Sequence, residues 1–415
     1  MANDAFSELP RRPRAGKDVS GWRARTLGEF LAAQRPDAAA LVTATARLTY
    51  GELLRRAQDA AGGMHALGLR KGDHVALLMG NDEHWITLFY GAALLGAITV
   101  PVNTRFKAAE LEFCLGQADC KALIYTPQFM HHDYAAMLKE IRPRLPKLAH
   151  AVPIGELRAA PHVPAVAAPG ELLLIQFTSG TTAYPKGVML THDNMLRNAW
   201  AAGQRMGIAP QDRYFNCRPL FHVGGSTLSA LVCLVHGACL VTLPAFEAGA
   251  ALEMMERERC TITSGNDAIF QMLIGHADLP KRKLVLRGGW ATAGPQTMRR
   301  IIEVLGATHI CAAYGLSEAS PNVVMSDWRD PQELRIQGLA TPHEELHLRT
   351  VDGEIQVRGW SVMRGYYNNP EATAKAFTED GYLRTGDLGE LHPGGRLKMV
   401  GRMKDAFRVG GGNVA

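Results

Sequence analysis

The stretch 175–190 reads IQFTSGTTAYPKGVML, and the rest of the chain is interpreted around it. An apolar run at 172–177 leads into it and is typical of a buried strand. The stretch then supplies hydroxyls, a glycine and a lysine: Thr178, Ser179, Gly180, Thr181, Thr182 and Lys186. Glycine lets the backbone approach a ligand, free N–H groups in a turn bind anions, and lysine suits phosphate. The pattern predicts a phosphate loop, with a solvated polar loop as the alternative from these residues alone.

Length and composition limit the classes of protein to which the chain can belong. The chain has 415 residues, 47% hydrophobic and 20% charged, which predicts two or three domains or one large composite domain. The net charge of +5 is modest and indicates no nucleic-acid partner. The apolar segment 228–243 is broken by His236 and Gly237, so we expect no transmembrane segment. Seven cysteines without CxxC spacing predict reduced thiols, no zinc site and a cytoplasmic location.

Predicted strands alternate with predicted helices, which indicates parallel sheets with crossover helices. We expect strands at 74–79, 97–102, 121–125, 172–177, 214–217, 239–243, 260–264, 283–287 and 309–313. We expect helices at 82–95, 108–115 and 296–305, and another that starts at the capping-box sequence 49–52 and closes at Gly68. Residues 151–170, rich in proline and alanine, are expected to form a connection. Two hairpins, 345–358 and 382–400, predict a small β-rich subdomain.

Four more stretches place polar residues near predicted strand ends. They are PLFHVGG at 219–225, YGLSE at 314–318, YLRTGDLG at 382–389 and GRMKD at 401–405. Glu318 is a hard oxygen ligand suited to Mg²⁺, at the sheet edge where α/β proteins gather ligands. Each residue also has an ordinary structural interpretation. Glu318 can be an exposed carboxylate at a helix start, His222 a packing residue, and Asp387 a residue that stabilises a turn.

Taken together and in this order, the five motifs resemble the adenylate-forming (AMP-binding) superfamily, in its acyl-CoA synthetase branch. The resemblance runs over nearly the whole chain, from about residue 26 to 414. It implies an α/β fold with two doubly wound α/β subdomains, mainly parallel sheets and a smaller β-rich subdomain. The expected ranges are 1–25 for a flexible arm, 26–170, 171–330 and 331–402 for the subdomains, and 403–415 for the hinge.

The resemblance also implies the reaction. A carboxylic acid reacts with ATP to give acyl-AMP and pyrophosphate, and coenzyme A then displaces AMP. ATP or AMP, Mg²⁺ and coenzyme A are the implied small-molecule partners, and a homodimer is left open. Two alternatives stay open: loading of an acyl carrier protein, and a non-adenylating member that binds acyl-adenylate and coenzyme A.

Site residues carry over from the family residue by residue. The implied catalytic residues are Thr178, Lys186, His222 and Glu318, with Glu318 also the metal ligand. The implied nucleotide contacts are Ser179, Gly180, Thr181, Thr182, Gly288, Gly289, Trp290, Ala313, Tyr314, Gly315, Ser317, Asp387, Arg402 and Gly411. Asp387 is expected to accept the ribose hydroxyls, which suits a carboxylate.

The sequence departs from the family pattern at three places. It stops just past the hinge residue Lys404, so we expect the small C-terminal domain and its adenylation lysine to be missing and adenylation to be slow. Gly412 stands where glutamate is common, and Trp290 stands where a small residue is usual. The indole is expected to fill the acyl tunnel, with obstruction of the nucleotide or outward packing as alternatives.

Overall fold

The computed structural model describes residues 21–161, 167–178, 185–403, 407–409 and 412–414, the last two segments as backbone. In chain order the strands are β1 (Ala39–Val42), β2 (Arg47–Thr49), β3 (His74–Leu78), β4 (Ile98–Pro101), β5 (Ala122–Tyr125), β6 (Gln128–Phe129), β7 (His132–Asp133), β8 (His150–Pro153), β9 (Leu172–Thr178), β10 (Lys186–Thr191), β11 (Arg213–Asn216), β12 (Cys239–Thr242), β13 (Ile262–Asn266), β14 (Gly288–Thr292), β15 (His309–Gly315), β16 (Asn322–Met325), β17 (Thr341–Pro342), β18 (His347–Val351), β19 (Glu354–Arg358), β20 (Leu383–His392), β21 (Arg396–Arg402), β22 (Phe407–Val409) and β23 (Gly412–Val414).

Helices separate most of these strands. They are α1 (Leu27–Ala32), α2 (Tyr50–Ala66), α3 (Glu83–Leu95), α4 (Ala108–Gln117), α5 (Tyr134–Ile141), α6 (His192–Met206), α7 (Val223–Gly225), α8 (Val232–His236), α9 (Ala248–Arg257), α10 (Asp267–Ile274), α11 (Pro295–Leu305), α12 (Gln332–Ile336) and α13 (Pro370–Ala376). A π-helical segment, Ser226–Leu231, joins α7 to α8, and short 3-10 turns include Ser317–Ala319. The predicted capping box begins α2, where the Thr49 N–H donates to Glu52 (2.8 Å) and the Glu52 N–H donates to the Thr49 hydroxyl (3.2 Å).

Two large sheets form the body of the described chain. One has six strands in the order β10-β9-β4-β3-β5-β8, and all its pairings are parallel except that of β10 with β9. The other has nine strands in the order β17-β16-β15-β14-β13-β11-β12-β1-β2, with antiparallel pairing only at its two ends. The continuous apolar strands predict this arrangement, because parallel strands are covered on both faces. The predicted α/β class is confirmed.

Helices fill the space between the sheets and cover their outer faces. Side chains of α2, α3, α6 and α8 share one core with strands of both sheets. A second core joins α4 and α5 to the outer face of the six-stranded sheet, and a third joins α9, α10 and α11 to the nine-stranded sheet. The fold is therefore layered helix–sheet–helix–sheet–helix, which brings the carboxyl ends of both sets of parallel strands to one region.

A small antiparallel sheet, β18-β19-β20-β21, follows the large ones. The tight turn between β18 and β19 has positive φ at Asp352 (52°) and Gly353 (81°), as expected for a two-residue hairpin. The domain ranges stay a prediction. The sheets exchange strands across residue 170, because β1 and β2 join the nine-stranded sheet while β9 and β10 join the six-stranded one.

Two sequence expectations are wrong. Residues 151–170 are not only a connection, because β8 pairs with β5 at the edge of its sheet, a position that tolerates Pro153. The strand expected at 283–287 lies instead at Gly288–Thr292. The two glycines of β14 allow close packing, because a Cβ on Gly289 would come within 1.6 Å of the Thr263 carbonyl oxygen.

The described end of the predicted N-terminal arm is packed onto the body. The Trp22 indole N–H donates to Asp193 (2.8 Å), and its ring stacks on Phe30 with centroids 5.7 Å apart. Within the described ranges, no helix is long and apolar enough to cross a membrane. All seven cysteines are buried and free of disulfides.

Candidate active site

One cleft of about 1120 Å³ opens at the carboxyl ends of the parallel strands. It brings together most of the described residues that the sequence selected: Thr178, Lys186, His222, Trp290, Ala313, Tyr314, Gly315, Ser317, Glu318, Asp387 and Arg402. These residues come from β9, β10, β14, β15, β20, β21 and from the loops after β11 and β15. The sheet edge is where open α/β folds bind ligands, so the topology explains why motifs far apart in sequence meet here.

The predicted phosphate loop joins two paired strands. Thr178 ends β9 and Lys186 begins β10, and the two residues pair across the antiparallel ladder. Ser179, Gly180, Thr181 and Thr182 lie outside the described residues, as does Gly411 near the chain end. The Lys186 ammonium lies 5.0 Å from the centre of the Tyr366 ring, so the cation is held over an aromatic face at the cleft wall.

Glu318 lies in the 3-10 turn that follows β15. Its carboxylate accepts a hydrogen bond from the Tyr366 hydroxyl (2.9 Å), and its carbonyl oxygen accepts from the Met363 N–H (2.8 Å). Burial and the nearby Glu318 charge raise the pKa of Tyr366, so its hydroxyl stays protonated and remains a donor. Tyr366 thus orients the carboxylate while its ring supports Lys186.

The Tyr366 segment is itself anchored beside the predicted phosphate loop. The Tyr367 N–H donates to the Gly187 carbonyl (2.7 Å), and the Met189 N–H donates to the Gly365 carbonyl (3.0 Å). Sequence reasoning missed Tyr366. The only signal was an aromatic pair after Gly365, which is too common a pattern to indicate a site.

Asp387 is buried and lies between two partners. The Tyr314 hydroxyl donates to one carboxylate oxygen (2.9 Å), and the Arg402 Nε is 3.4 Å from the other. Arg402 is placed there by register, since the two residues pair directly between β20 and β21. Burial, followed by the Asp387 charge, raises the pKa of Tyr314 well above its usual range. This geometry holds a carboxylate acceptor in a fixed position at the cleft.

His222 is held in one ring orientation at the start of α7. Its Nδ1 accepts a hydrogen bond from the Gly224 N–H (3.0 Å), which leaves the ring proton on Nε2. Burial of the ring and, second, the nearby Arg218 charge lower the pKa of His222 to about 4. The imidazole is therefore neutral at physiological pH and can donate one hydrogen bond from Nε2.

Arg218 is a residue of the cleft wall that sequence reasoning missed. Its guanidinium carbon lies 5.4 Å from the centre of the buried Trp290 indole. Burial lowers the pKa of Arg218, but it stays far above neutrality in an arginine. Trp290 therefore faces the cleft with a cation on its ring, and the outward-packing alternative does not hold.

Gly288 and Gly289 do not line the cleft. Both lie within β14, and a Cβ on either would collide with backbone of a neighbouring strand. Their small size serves sheet packing, which corrects the expectation that they approach the nucleotide.

Among the described residues, no group of three or more His, Cys, Asp or Glu side chains could hold a metal ion. Glu318 nevertheless fits Mg²⁺. This ion is usually held by one or two protein carboxylates together with substrate phosphates and water.

Comparisons with known proteins agree with this geometry. A family model described as "AMP-binding enzyme" matches residues 29–367. The bovine (Bos taurus) mitochondrial medium-chain acyl-CoA ligase ACSF2 is 33% identical over 94% of this chain and 73% of its own length. Among solved structures, a Mycobacterium tuberculosis fatty acyl CoA synthetase has a TM-score of 0.82 at 27% identity, covering 94% of this chain and 80% of that one.

A second structure matches along its full length. The N-terminal domain of FACL13 from Mycobacterium tuberculosis has a TM-score of 0.81 at 28% identity, with 91% of this chain and 100% of that chain covered. The family match spans most of the chain, and the cleft carries the residues that the motifs predicted. The chain therefore belongs to the AMP-binding enzyme family.

Proposed function

We propose that this chain is an acyl-CoA synthetase. A carboxylate oxygen of the acid attacks the α-phosphorus of ATP, the bond to the β-phosphate breaks, and pyrophosphate leaves acyl-AMP behind. The sulfur of coenzyme A then forms a bond to the acyl carbon, and AMP leaves. The family match and the acyl-CoA ligase relatives support an AMP-forming acid–thiol ligase.

One observation carries the proposal: groups suited to phosphate, metal and ribose line the same cleft. Lys186 and Thr178, with the loop residues 179–182, would receive the pyrophosphate portion. Asp387 would accept both ribose hydroxyls, as a carboxylate can, with Arg402 beside it. Ala313, Tyr314, Gly315 and Ser317 would contact the rest of the nucleotide.

Glu318 would hold Mg²⁺ jointly with phosphate oxygens, and Tyr366 would keep its carboxylate in place. When bound, the ion neutralises charge on the phosphates. Neutral His222 would donate its Nε2 proton as a hydrogen bond to the oxygens at the reacting centre. Catalysis in this proposal is mainly positioning and electrostatic stabilisation, as expected for phosphoryl chemistry.

A cytoplasmic location is part of the proposal. The seven free, buried cysteines support it, because reduced thiols are usual there. The bovine relative's name places that protein in mitochondria, so fractionation of the native host is the deciding measurement.

The test supplies the purified chain with ATP, Mg²⁺, coenzyme A and a panel of carboxylic acids, and measures acyl-CoA and AMP. Stoichiometric enzyme and long incubations make a slow turnover visible. We expect at least one acid to yield acyl-CoA and AMP in equal amounts. Glu318→Gln should lose both products, while Glu303→Gln, an exposed glutamate on α11, should keep them.

The alternatives give different results. AMP binding by calorimetry with no product from any acid would contradict the enzyme and favour a binding protein. Transfer of the acyl group from acyl-AMP to a carrier protein, but not to coenzyme A, would show that the carrier protein is the acceptor.

A further inference from the structure

Arg218, which is half-buried, differs from the buried arginines of the described chain. Arg205, Arg335 and Arg396 all donate to carbonyl or carboxylate oxygens. In contrast, the Arg218 Nε and Nη1 are buried without a hydrogen-bond partner, and no ion pair among the described residues involves its guanidinium. The residue as a whole is half-buried and lines the cleft, so two of its donor nitrogens are left for an acceptor that the described residues do not supply.

The position of Arg218 is fixed by its own backbone. The side-chain amides of Asn81 and Asn216 both donate to the Arg218 carbonyl at 2.8 Å, and the Arg218 N–H donates to the Asn216 side chain at 3.2 Å. Asn81 also accepts from the Leu220 N–H (2.8 Å). A site that receives a ligand group needs such a rigid frame, because pre-organisation lowers the cost of binding.

Within the part of the chain that the structure describes, no ion-pair partner lies beside Arg218. The titratable groups that influence it, Tyr214 and Cys217, have pKa values raised by burial and are neutral. Trp290 offers a ring face but no acceptor, and its own indole N–H is buried without a partner. Two buried donor side chains therefore adjoin the cleft with no acceptor between them.

We propose that Arg218 binds a second carboxylate on the acid, so that the substrates are dicarboxylic acids. This rests on the proposed function, in which the first carboxylate reacts with ATP at Lys186, Glu318 and His222. Trp290 closes the wall behind Arg218 and limits the length of the diacid. A planar guanidinium suits a carboxylate because it donates two parallel hydrogen bonds.

The test compares diacids with monoacids of equal carbon number, from four to ten carbons, by kcat/KM for acyl-CoA formation. At its best length we expect the wild-type chain to prefer the diacid by at least tenfold. Arg218→Met should remove that preference, and Arg218→Lys should restore part of it. Arg35→Met, an exposed arginine, should leave the preference unchanged, and thermal melting checks that each variant is folded.

A binding measurement on the wild-type chain needs no variant. Non-hydrolysable acyl-adenylate analogues, one ending in a carboxylate and one in a methyl group, are compared by calorimetry. The proposal expects the carboxylate analogue to bind at least tenfold more tightly. Equal binding, or tighter binding of the methyl analogue, overturns the diacid assignment while leaving the synthetase function standing.

Two other outcomes also overturn it. If Arg218→Met lowers kcat/KM for all acids equally and raises the KM for ATP, the arginine serves the phosphates. If no acid of either kind yields product and neither analogue binds, the proposed function fails together with the inference.

Discussion

The two ends of the cleft differ in how their charges are satisfied. At the nucleotide end, comprising Lys186, Tyr366, Glu318, Tyr314, Asp387 and Arg402, each carboxylate has a protein partner in place. At the acid end, comprising Arg218 and Trp290, donors are buried without acceptors. A site with its own partners is pre-organised for a constant ligand, whereas an unpaired cation awaits a group that only the right substrate carries. On these proposed roles, a change at one end should leave binding at the other end unaltered, so nucleotide binding and acid selection are separable.

The largest effect is expected from a substitution of Glu318 at the proposed nucleotide end. Glu318→Gln removes the negative charge that would hold Mg²⁺ while keeping the side-chain shape. A lost electrostatic stabiliser of this kind costs on the order of 10²–10³ in turnover. Pyrophosphate exchange at limiting Mg²⁺ measures it, with Glu303→Gln as the matched control. If Glu318→Gln exchanges pyrophosphate at the wild-type rate, Glu318 is not the metal ligand.

A smaller change tests the partner of that carboxylate. Tyr366→Phe deletes only the hydroxyl that donates to Glu318. Residues that orient a metal ligand are worth about 10–100-fold in metal affinity, so the apparent Mg²⁺ constant should rise by about tenfold. Tyr367→Phe is the control, because its hydroxyl contacts Asp119 instead. Equal Mg²⁺ constants in the two variants would show that Tyr366 does not position Glu318.

The smallest expected effect concerns His222, which lies between the two ends. Because burial and the nearby Arg218 charge lower its pKa to about 4, the ring is already neutral throughout pH 6–8. Only near pH 4 should a second proton enter at Nδ1, which then no longer accepts from the Gly224 N–H. The ratio of wild-type to His222→Gln kcat/KM should therefore change by less than about twofold across pH 6–8. A ratio that follows a single ionisation near pH 6.5 would contradict the neutral donor.

The sequence predicts that the residues of the proposed nucleotide end meet in one cleft, and it does not indicate Arg218 at the proposed acid end. Lys186, Glu318 and Asp387, the proposed phosphate, metal and ribose contacts, lie in ordered motifs that can be recognised in one chain. Topology then brings them together at strand ends. Arg218 lies just before the 219–225 motif and outside every stretch that the sequence selected, and its proposed role depends on donors without partners, which only the packed structure reveals.

The failures in secondary structure have a similar origin. The strand expected at 283–287 lies at Gly288–Thr292, although glycine weakens a strand interior. In the structure a close backbone approach to β13 requires its two glycines. The sequence alone does not indicate Tyr366, because its position depends on its pairing with Val188 of β10, a contact between distant segments.

The most direct test of separable ends uses one ligand and four proteins. Binding of the carboxylate-ended acyl-adenylate analogue is measured by calorimetry in the wild type, Asp387→Asn, Arg218→Met and the double variant. Each single change removes charged hydrogen bonds worth about 1.5–3 kcal/mol, so Kd should rise roughly 10–150-fold in each.

AMP alone should bind Arg218→Met as tightly as wild type and Asp387→Asn at least tenfold more weakly. The account predicts that the two losses add to within about 0.5 kcal/mol in the double variant, as for independent sites. A loss of AMP affinity in Arg218→Met, or a coupling above about 1 kcal/mol between the two changes, would contradict it.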